Sequence, residues 1–310
     1  MQGNSDNLLF VVNPIAGGQD KEPFYKALSK IVQRHKFNYS MFHTTGEDQD
    51  EVEILQLLDT GQFAKIVAVG GDGTVRMIAN LIKGRKESMG IVPFGSANGL
   101  ATELMISTDP LQALEVIVSK GVVKAVDLLM INEKHYCLHL SDVGINAQLI
   151  KRFEEDSKRG FLAYAKQFFK TLPSSKKIRY SIIADGVEFK GSAFMIVFAN
   201  AQKYGTGAIV NPHGKLDDGK FEICILKTLT AMTLLRSFAS IFIPDKVDMS
   251  DMKFIQCAEA EVTFRKNKPQ TFQIDGELME ETTSLTMKSL KNILNLIVPD
   301  DAQMLESSFV

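Results

Sequence analysis

Residues 65–76 read KIVAVGGDGTVR, and the rest of the chain can be read outward from them. Ile66, Val67 and Val69 form a short β-branched run, the composition of a strand buried on both faces. The run stops at Gly70 and Gly71, followed by Asp72 and Gly73. Glycines reach positive φ without penalty and leave a turn free of Cβ atoms, so successive N–H groups can converge on an anion at the mouth of the next helix. Thr74 is placed to cap that helix, and Val75, Ile78, Ala79 and Ile82 recur at helical spacing on one face. Asp72 is the odd member of a phosphate cradle, because a carboxylate repels anions unless it takes a metal ion or a proton. Two readings of it stay open: Mg2+ chemistry, or an aspartate that supplies turn and cap hydrogen bonds.

Upstream, Leu8–Val12 reads as a first strand that stops at Asn13-Pro14, with Gly17-Gly18 just beyond. A helix is expected from about Pro23 to Lys36, with Phe24, Leu28, Ile31 and Val32 inward. Tyr39–His43 alternates as a second strand ending in Thr44-Thr45-Gly46, and a helix carrying Val52, Leu55 and Leu58 leads back to the glycine-rich strand. Downstream, Gly90–Pro93 makes another strand and Gly95–Leu104 a glycine-opened helix. Asp109 caps a further helix with Pro110 at its first position, Leu111, Leu114 and Val118 inside and Gly121 closing it. Strands alternating with helices predict a parallel α/β domain whose ligand site lies at the carboxyl ends of the strands. The loops at 13–18, 44–46, 70–74 and 94–98 all fall on that edge, enough for a nucleotide-sized site.

From Val126 the runs become strand-like and are separated by Asn, Gly, Lys and Asp turns: VDLLMIN, HYCLHLS, IRYSIIAD, VEFKGSAFMIVFAN, KFEICILK, AEVTF, QTFQID and SLTM. They predict an antiparallel, sandwich-like second domain. Two helices interrupt it, at 161–172 and 230–242, and 290–298 is expected to return to the first domain. The predicted boundaries are 1–125, completed by about 289–310, and 126–288.

The 310 residues are enough for two domains, and a net charge of −2 gives no case for nucleic acid as a partner. Cys137, Cys224 and Cys257 are odd in number, widely spaced and set in apolar runs, so they read as buried free thiols of a reducing compartment. The N-terminus lacks a basic region ahead of its apolar run, and Leu229–Ile243, interrupted by Arg236, is too short to span a bilayer. A cytoplasmic protein is expected, with membrane contact only peripheral. The segment 151–179 offers such contact: nine basic residues stand against three acidic ones, interleaved with Phe161, Tyr164, Phe168 and Phe169. A solvated helix whose aromatics face the core accounts for it equally.

Three further stretches join the first. PFGSANGLATEL follows a strand, with Ser96 able to hydrogen-bond a phosphate and Asn98 able to orient its neighbours. HGKLDDGKFEICIL puts Asp218 in a turn before a strand, and FQIDGELMEE sets Asp275 and Glu277 on either side of Gly276. Together with NPIAGG at 13–18, GGDGT at 70–74 and SDVGINA at 141–147, this ordered set resembles the lipid kinase family of bacterial diacylglycerol kinases, sphingosine kinases and ceramide kinases, over nearly the whole chain. The resemblance implies an NAD kinase- and phosphofructokinase-like nucleotide domain, a β-sandwich lipid-binding domain, and ATP and Mg2+ as cofactors. It implies that Asn13, Pro14, Gly17, Thr44, Thr45, Gly70, Gly71, Asp72, Gly73, Thr74, Ser96 and Asn98 contact the nucleotide or its metal. Glu277 matches the family's general base, Asp275 is set beside the catalytic metal or water network, Asp72 joins the catalytic set through ATP or its magnesium, and Asp218 with the carbonyls of Lys215 and Lys220 matches a structural magnesium site. The implied reaction is γ-phosphoryl transfer to a lipid hydroxyl at the membrane surface, in phospholipid metabolism. Bacterial diacylglycerol kinases typically carry Asp after the Asn of the third motif, where this chain has Gly99, closer to the sphingosine kinase pattern; the acceptor stays open between diacylglycerol and a sphingoid base. An NAD kinase-like enzyme and a catalytically silent nucleotide-binding regulator are the rival readings, and homodimerisation is left open.

Overall fold

The computed structural model describes residues 7–145, 176–203, 209–228, 251–265 and 268–300. The helices expected at 161–172 and 230–242, and all of the basic segment before residue 176, lie outside these. The chain divides into two compact units, one running through Val126 and taking up the chain again from Asn292, the other Asp127–Lys291.

In the first unit β1 (Asn7–Val12), α1 (Glu22–His35), β2 (Asn38–His43), α2 (Gln49–Asp59), β3 (Lys65–Gly70), α3 (Asp72–Ile82) and β4 (Ser88–Pro93) alternate, followed by α4 (Gly99–Glu103), α5 (Pro110–Glu115) and the start of β5 (Gly121–Ile131). The strands are parallel in the order β2-β1-β3-β4. Their register pairs Val12 with both His43 and Val69, and Gly70 with Pro93, so all four carboxyl ends stand level. The chain leaves β1 toward β2 and then crosses back to β3, which makes the β1/β3 boundary the switch point where α/β sheets bind ligands. β1 and β3 are buried along nearly their whole length, as their apolar composition requires.

Three local expectations change. In α2 the inward residues are Ile54 and Leu58, while Val52 is 46 % exposed; Val52, Leu55 and Leu58 do sit on a helical stripe, but that stripe is turned partly to solvent. Thr74 is not the cap of α3: an extended Gly71 is the N-cap and the helix opens at Asp72, with Thr74 buried in its first turn. The helix expected over Gly95–Leu104 begins only at Gly99, because Asn98 adopts a left-handed φ of 53° and its side chain folds back on Gly95. Asp109 does cap α5, accepting from Leu111 N and Gln112 N, with Pro110 at the first position.

The second unit adds β6 (His135–Cys137), β7 (Leu140–Gly144), β8 (Ile178–Ala184), β9 (Val187–Ala193), β10 (Met195–Ala199), β11 (Phe221–Leu226), β12 (Met252–Cys257), β13 (Glu259–Phe264), β14 (Phe272–Ile274), β15 (Glu277–Leu278) and β16 (Ser284–Pro299). One antiparallel sheet runs β12-β11-β10-β7-β14-β15, and a second set runs β16-β13-β8-β9. Inward residues of both, among them Val143, Phe198, Ile223, Ile182, Val262 and Leu285, form one core, the sandwich read from the sequence. β16 leaves β13 after Lys288, kinks at Asn292 with φ of 52°, and joins β4 in parallel at Asn295 and Leu296. The three cysteines are buried and form no disulfide. Among the described residues no helix is long and apolar enough to cross a membrane.

The two faces of α2 give a direct test. Ile54→Ala should cost about 2–5 kcal/mol in urea or thermal melts, the range for a buried aliphatic cut to a cavity, and Val52→Ala should stay within about 0.5 kcal/mol.

Candidate functional site

The carboxyl edge of the first unit is built by backbone contact between loops. A Cβ on Gly71 would meet the Gly95 Cα at 2.9 Å and one on Gly95 the Gly71 Cα at 2.6 Å, so the glycines after β3 and β4 touch directly. Gly17, at φ of 64°, would drive a Cβ to 2.2 Å from the Phe94 carbonyl oxygen. The loops after β1, β3 and β4 therefore approach closely only because these positions carry no side chain. Hydrogen bonds continue each strand past its end: Asn13 N–H to Val69 O at 3.0 Å, Thr44 N–H to Val12 O at 2.9 Å, and Phe94 N–H to Gly70 O at 2.8 Å.

Side chains then fix the loops. Asn13 accepts from Ile15 N–H at 3.1 Å and donates to Thr74 Oγ1 at 3.3 Å, tying the first loop to α3. Asn98 accepts from Gly95 N–H at 2.7 Å and donates to Gly95 O at 2.9 Å, so its amide closes its own loop. Asp72 Oδ1 accepts from Gly99 N–H at 2.7 Å, which caps α4 and links GGDGT to the third motif. Burial pushes Asp72 above the usual carboxylate range, against the pull of the amides of Gly99, Asn98 and Leu100. Pro14, Thr45, Gly73 and Ser96 are exposed along the same edge, and Gly70 ends β3.

Two residues that sequence reasoning passed over organise this edge. Asp50, buried in the first turn of α2, accepts from Thr45 N–H, the Thr45 hydroxyl and Gly46 N–H at 2.8–3.1 Å. Burial alone would raise its pKa, but these bonds outweigh it and hold the carboxyl below its ordinary value. The acid-rich run after Thr45-Gly46 was the available signal. Lys21, buried beneath the first loop, donates to two of its carbonyls; a single lysine in a polar loop carries no signal of that kind.

In the second unit, Asp275 and Gly276, at φ of 49° and 90°, form the two-residue turn joining β14 to β15. Both Asp275 oxygens are taken: Leu138 N–H donates to Oδ2 at 2.9 Å, and His139 and Leu140 N–H donate to Oδ1 at 2.9 and 3.1 Å, with the Cys137 thiol at 3.3 Å. Burial raises its pKa despite these donors. Asp275 thus pins the hairpin to the segment before β7, and Glu277 stands exposed at the start of β15. His139, whose main-chain N–H donates to Asp275, is buried, and burial holds its imidazole down to about 4, neutral at physiological pH.

Asp218 occupies the turn before β11. Its Oδ1 accepts from Lys220 N–H at 3.0 Å and its Oδ2 from Gln256 Nε2 at 3.3 Å, while the neighbouring Gly219 N–H donates to the wholly buried Asp127 at 2.6 Å. Asp127, in β5, is a third residue the sequence reading passed over. No group of three or more His, Cys, Asp or Glu side chains is gathered as a metal site among the described residues. A cation at this turn would rest on one carboxylate and on main-chain carbonyls such as those of Lys215 and Lys220, hard oxygen donors of the kind Mg2+ takes.

Residues 7–131 match the diacylglycerol kinase catalytic domain, and residues 141–298 match the YegS C-terminal NAD kinase beta sandwich-like domain. A protein of Alcanivorax borkumensis named probable lipid kinase YegS-like is 26 % identical over 259 residues, 81 % of this chain and 84 % of that one. A crystal structure of a diacylglycerol kinase from Bacillus anthracis superposes with a TM-score of 0.71 at 20 % identity, covering 96 % of this chain and 98 % of that one. An NAD kinase from Archaeoglobus fulgidus, solved in complex with ATP, has a TM-score of 0.50 at 15 % identity, covering 97 % of each chain. With a parallel α/β unit, an antiparallel sandwich unit and both domain matches in order, the chain belongs to the diacylglycerol kinase and YegS-like lipid kinase family.

Proposed function

We propose that the protein is an ATP- and Mg2+-dependent kinase that transfers the γ-phosphoryl group to the hydroxyl of a lipid, diacylglycerol or a sphingoid base. The observation that carries this reading is the level carboxyl edge of the first unit, where touching glycines keep Cβ atoms out of the loops and Thr45 and Ser96 are exposed beside the β1/β3 switch point. In this reading Asn13, Pro14, Gly17, Thr44, Thr45, Gly70, Gly71, Gly73, Thr74 and Ser96 border the nucleotide. Asp72 and Asn98 hold the loops in place through their bonds to the 95–99 backbone.

Bound ATP supplies the phosphoryl group, and Mg2+ neutralises the charge that develops on it. The chain's own task is positioning and removal of the acceptor proton. Glu277 takes that proton, held at the turn that Asp275 pins. A carboxylate in this role contributes roughly 10²- to 10⁴-fold in rate. Because the acceptor resides in a bilayer, peripheral contact with the membrane surface belongs to the same reading.

Incubation with γ-labelled Mg-ATP and detergent-dispersed diacylglycerol, sphingosine, ceramide and monoacylglycerol, with NAD in parallel, should label one lipid and leave NAD unlabelled. Label in NAD alone, or ATP binding with no labelled lipid, overturns the proposal. Glu277→Gln should fold and bind ATP as the parent does while losing about 100-fold in kcat; retention of more than about a tenth of the parent rate removes the base assignment. Asp218→Ala should lose metal measured by elemental analysis and melt at lower temperature, and an equally stable, fully active variant refutes a structural cation there.

A further inference from the structure

Lys21 is only 5 % exposed, a rare environment for a lysine. Its ammonium donates to Ala16 O at 2.9 Å and Gln19 O at 2.7 Å and lies 4.8 Å from the centroid of the Phe94 ring. It is thus seated between the loop after β1 and the residue that follows β4. Burial lowers its pKa, and the neighbouring Asp20 charge opposes that shift.

The two carbonyls it captures matter because a trans peptide is planar, with its C=O and the next N–H pointing in opposite directions. No peptide bond here is cis. Drawing Ala16 O and Gln19 O toward the ammonium therefore turns Gly17 N–H and Asp20 N–H away from it. The intervening amides are spent inside the loop, Gly18 N–H on Ile15 O at 3.1 Å and Gln19 N–H on Ala16 O at 3.3 Å. Of the four amides from Gly17 to Asp20, two are thereby used internally and two face away from the lysine. The buried positive charge adds an attraction for anions that a neutral residue would not supply, and its low-dielectric surroundings screen it little.

We propose that Lys21 is a positioning residue for nucleotide phosphate: from beneath the 15–20 loop it aims the Gly17 and Asp20 amides at a phosphate group and places a cation behind them. This rests on the reading of the carboxyl edge as a nucleotide site. A merely structural rivet would weaken the whole unit alike, whereas this role acts on the phosphates alone.

Calorimetry with Mg-ATP, inorganic triphosphate and adenosine separates the two. Lys21→Met, which keeps the aliphatic stem, should weaken ATP and triphosphate about tenfold or more, leave adenosine within about twofold, and raise the KM for ATP with kcat nearly unchanged. Lys21→Arg should recover part of the loss. Unchanged ATP affinity in Lys21→Met, or equal losses for adenosine and ATP, overturns the proposal. Should Lys21→Met fail to fold, the parent protein decides: in amide NMR, triphosphate should shift Gly17 and Asp20 and spare Gly18 and Gln19, and the reverse pattern overturns the role. A parent protein that binds neither ATP nor triphosphate overturns the nucleotide reading itself, and this role with it, before any variant is made.

Discussion

The architecture of the candidate site depends on an exclusion: there is no room for a Cβ where the loops after β3 and β4 meet. Gly71 and Gly95 would each push a methyl group to within 2.9 Å of the other's Cα, and Gly17 would push one into the Phe94 carbonyl. The parallel register brings the strand ends level, but level ends alone leave loops about 4.8 Å apart strand to strand, with side chains between them. Removing those side chains lets main chain pack on main chain. A site made of main chain is cheap to position, since it moves only if the strands move, and it suits a ligand recognised by charge and shape rather than by matched side chains.

Close-packed loops carry their own cost, because the amides in their interior need acceptors away from water. The chain meets this with carboxylates. Asp50 takes the Thr45 and Gly46 amides, Asp72 the amide of Gly99, Asp127 that of Gly219, and Asp275 three in the 138–140 segment. Hydrogen bonds to a charged group contribute about 1.5–3 kcal/mol each. Asp275 has a counterpart in Asp185. Asp185-Gly186 forms the same two-residue turn between β8 and β9, with φ of 45° and 81°, and its carboxylate accepts from Ala258 and Glu259 N–H. The residue after that turn is Val187, where after the Asp275 turn it is Glu277. The same device holds a plain hairpin in one place and sets an exposed carboxylate at the start of a strand in the other.

Much of this fold was legible in the sequence because periodicity and glycine punctuation are local signals. The strand β3, the inward face of α3, the Asp109 cap and the strand-rich second half all follow from runs of fewer than a dozen residues. The misreadings share a cause. Val52 lies on an apolar stripe, but which part of a stripe is covered depends on the neighbouring elements; α4 starts late because an Asn98 side chain bonds its own loop; and Thr74 loses the cap position because an extended Gly71 takes it. Lys21 was invisible for the same reason, since its partners are main-chain carbonyls of the kind every residue has. Motif spacing finds positions, but whether an aspartate faces a ligand or an amide is decided by folding.

Gly99 shows how these points bear on acceptor and nucleotide chemistry. The bond from Gly99 to Asp72 uses a main-chain N–H, which any residue but proline would provide, so an aspartate at this position would leave the link between the two motifs intact. What glycine removes is a carboxylate at the start of α4, next to an Asp72 whose burial already disfavours its charged form. Two such carboxylates at contact distance would repel each other and anything anionic unless a cation joined them. With glycine the loop geometry stays and that local negative charge is absent. The departure from the usual diacylglycerol kinase motif therefore leaves out a negative charge at the carboxyl edge of the first unit, while the main-chain link from Gly99 to Asp72 stays.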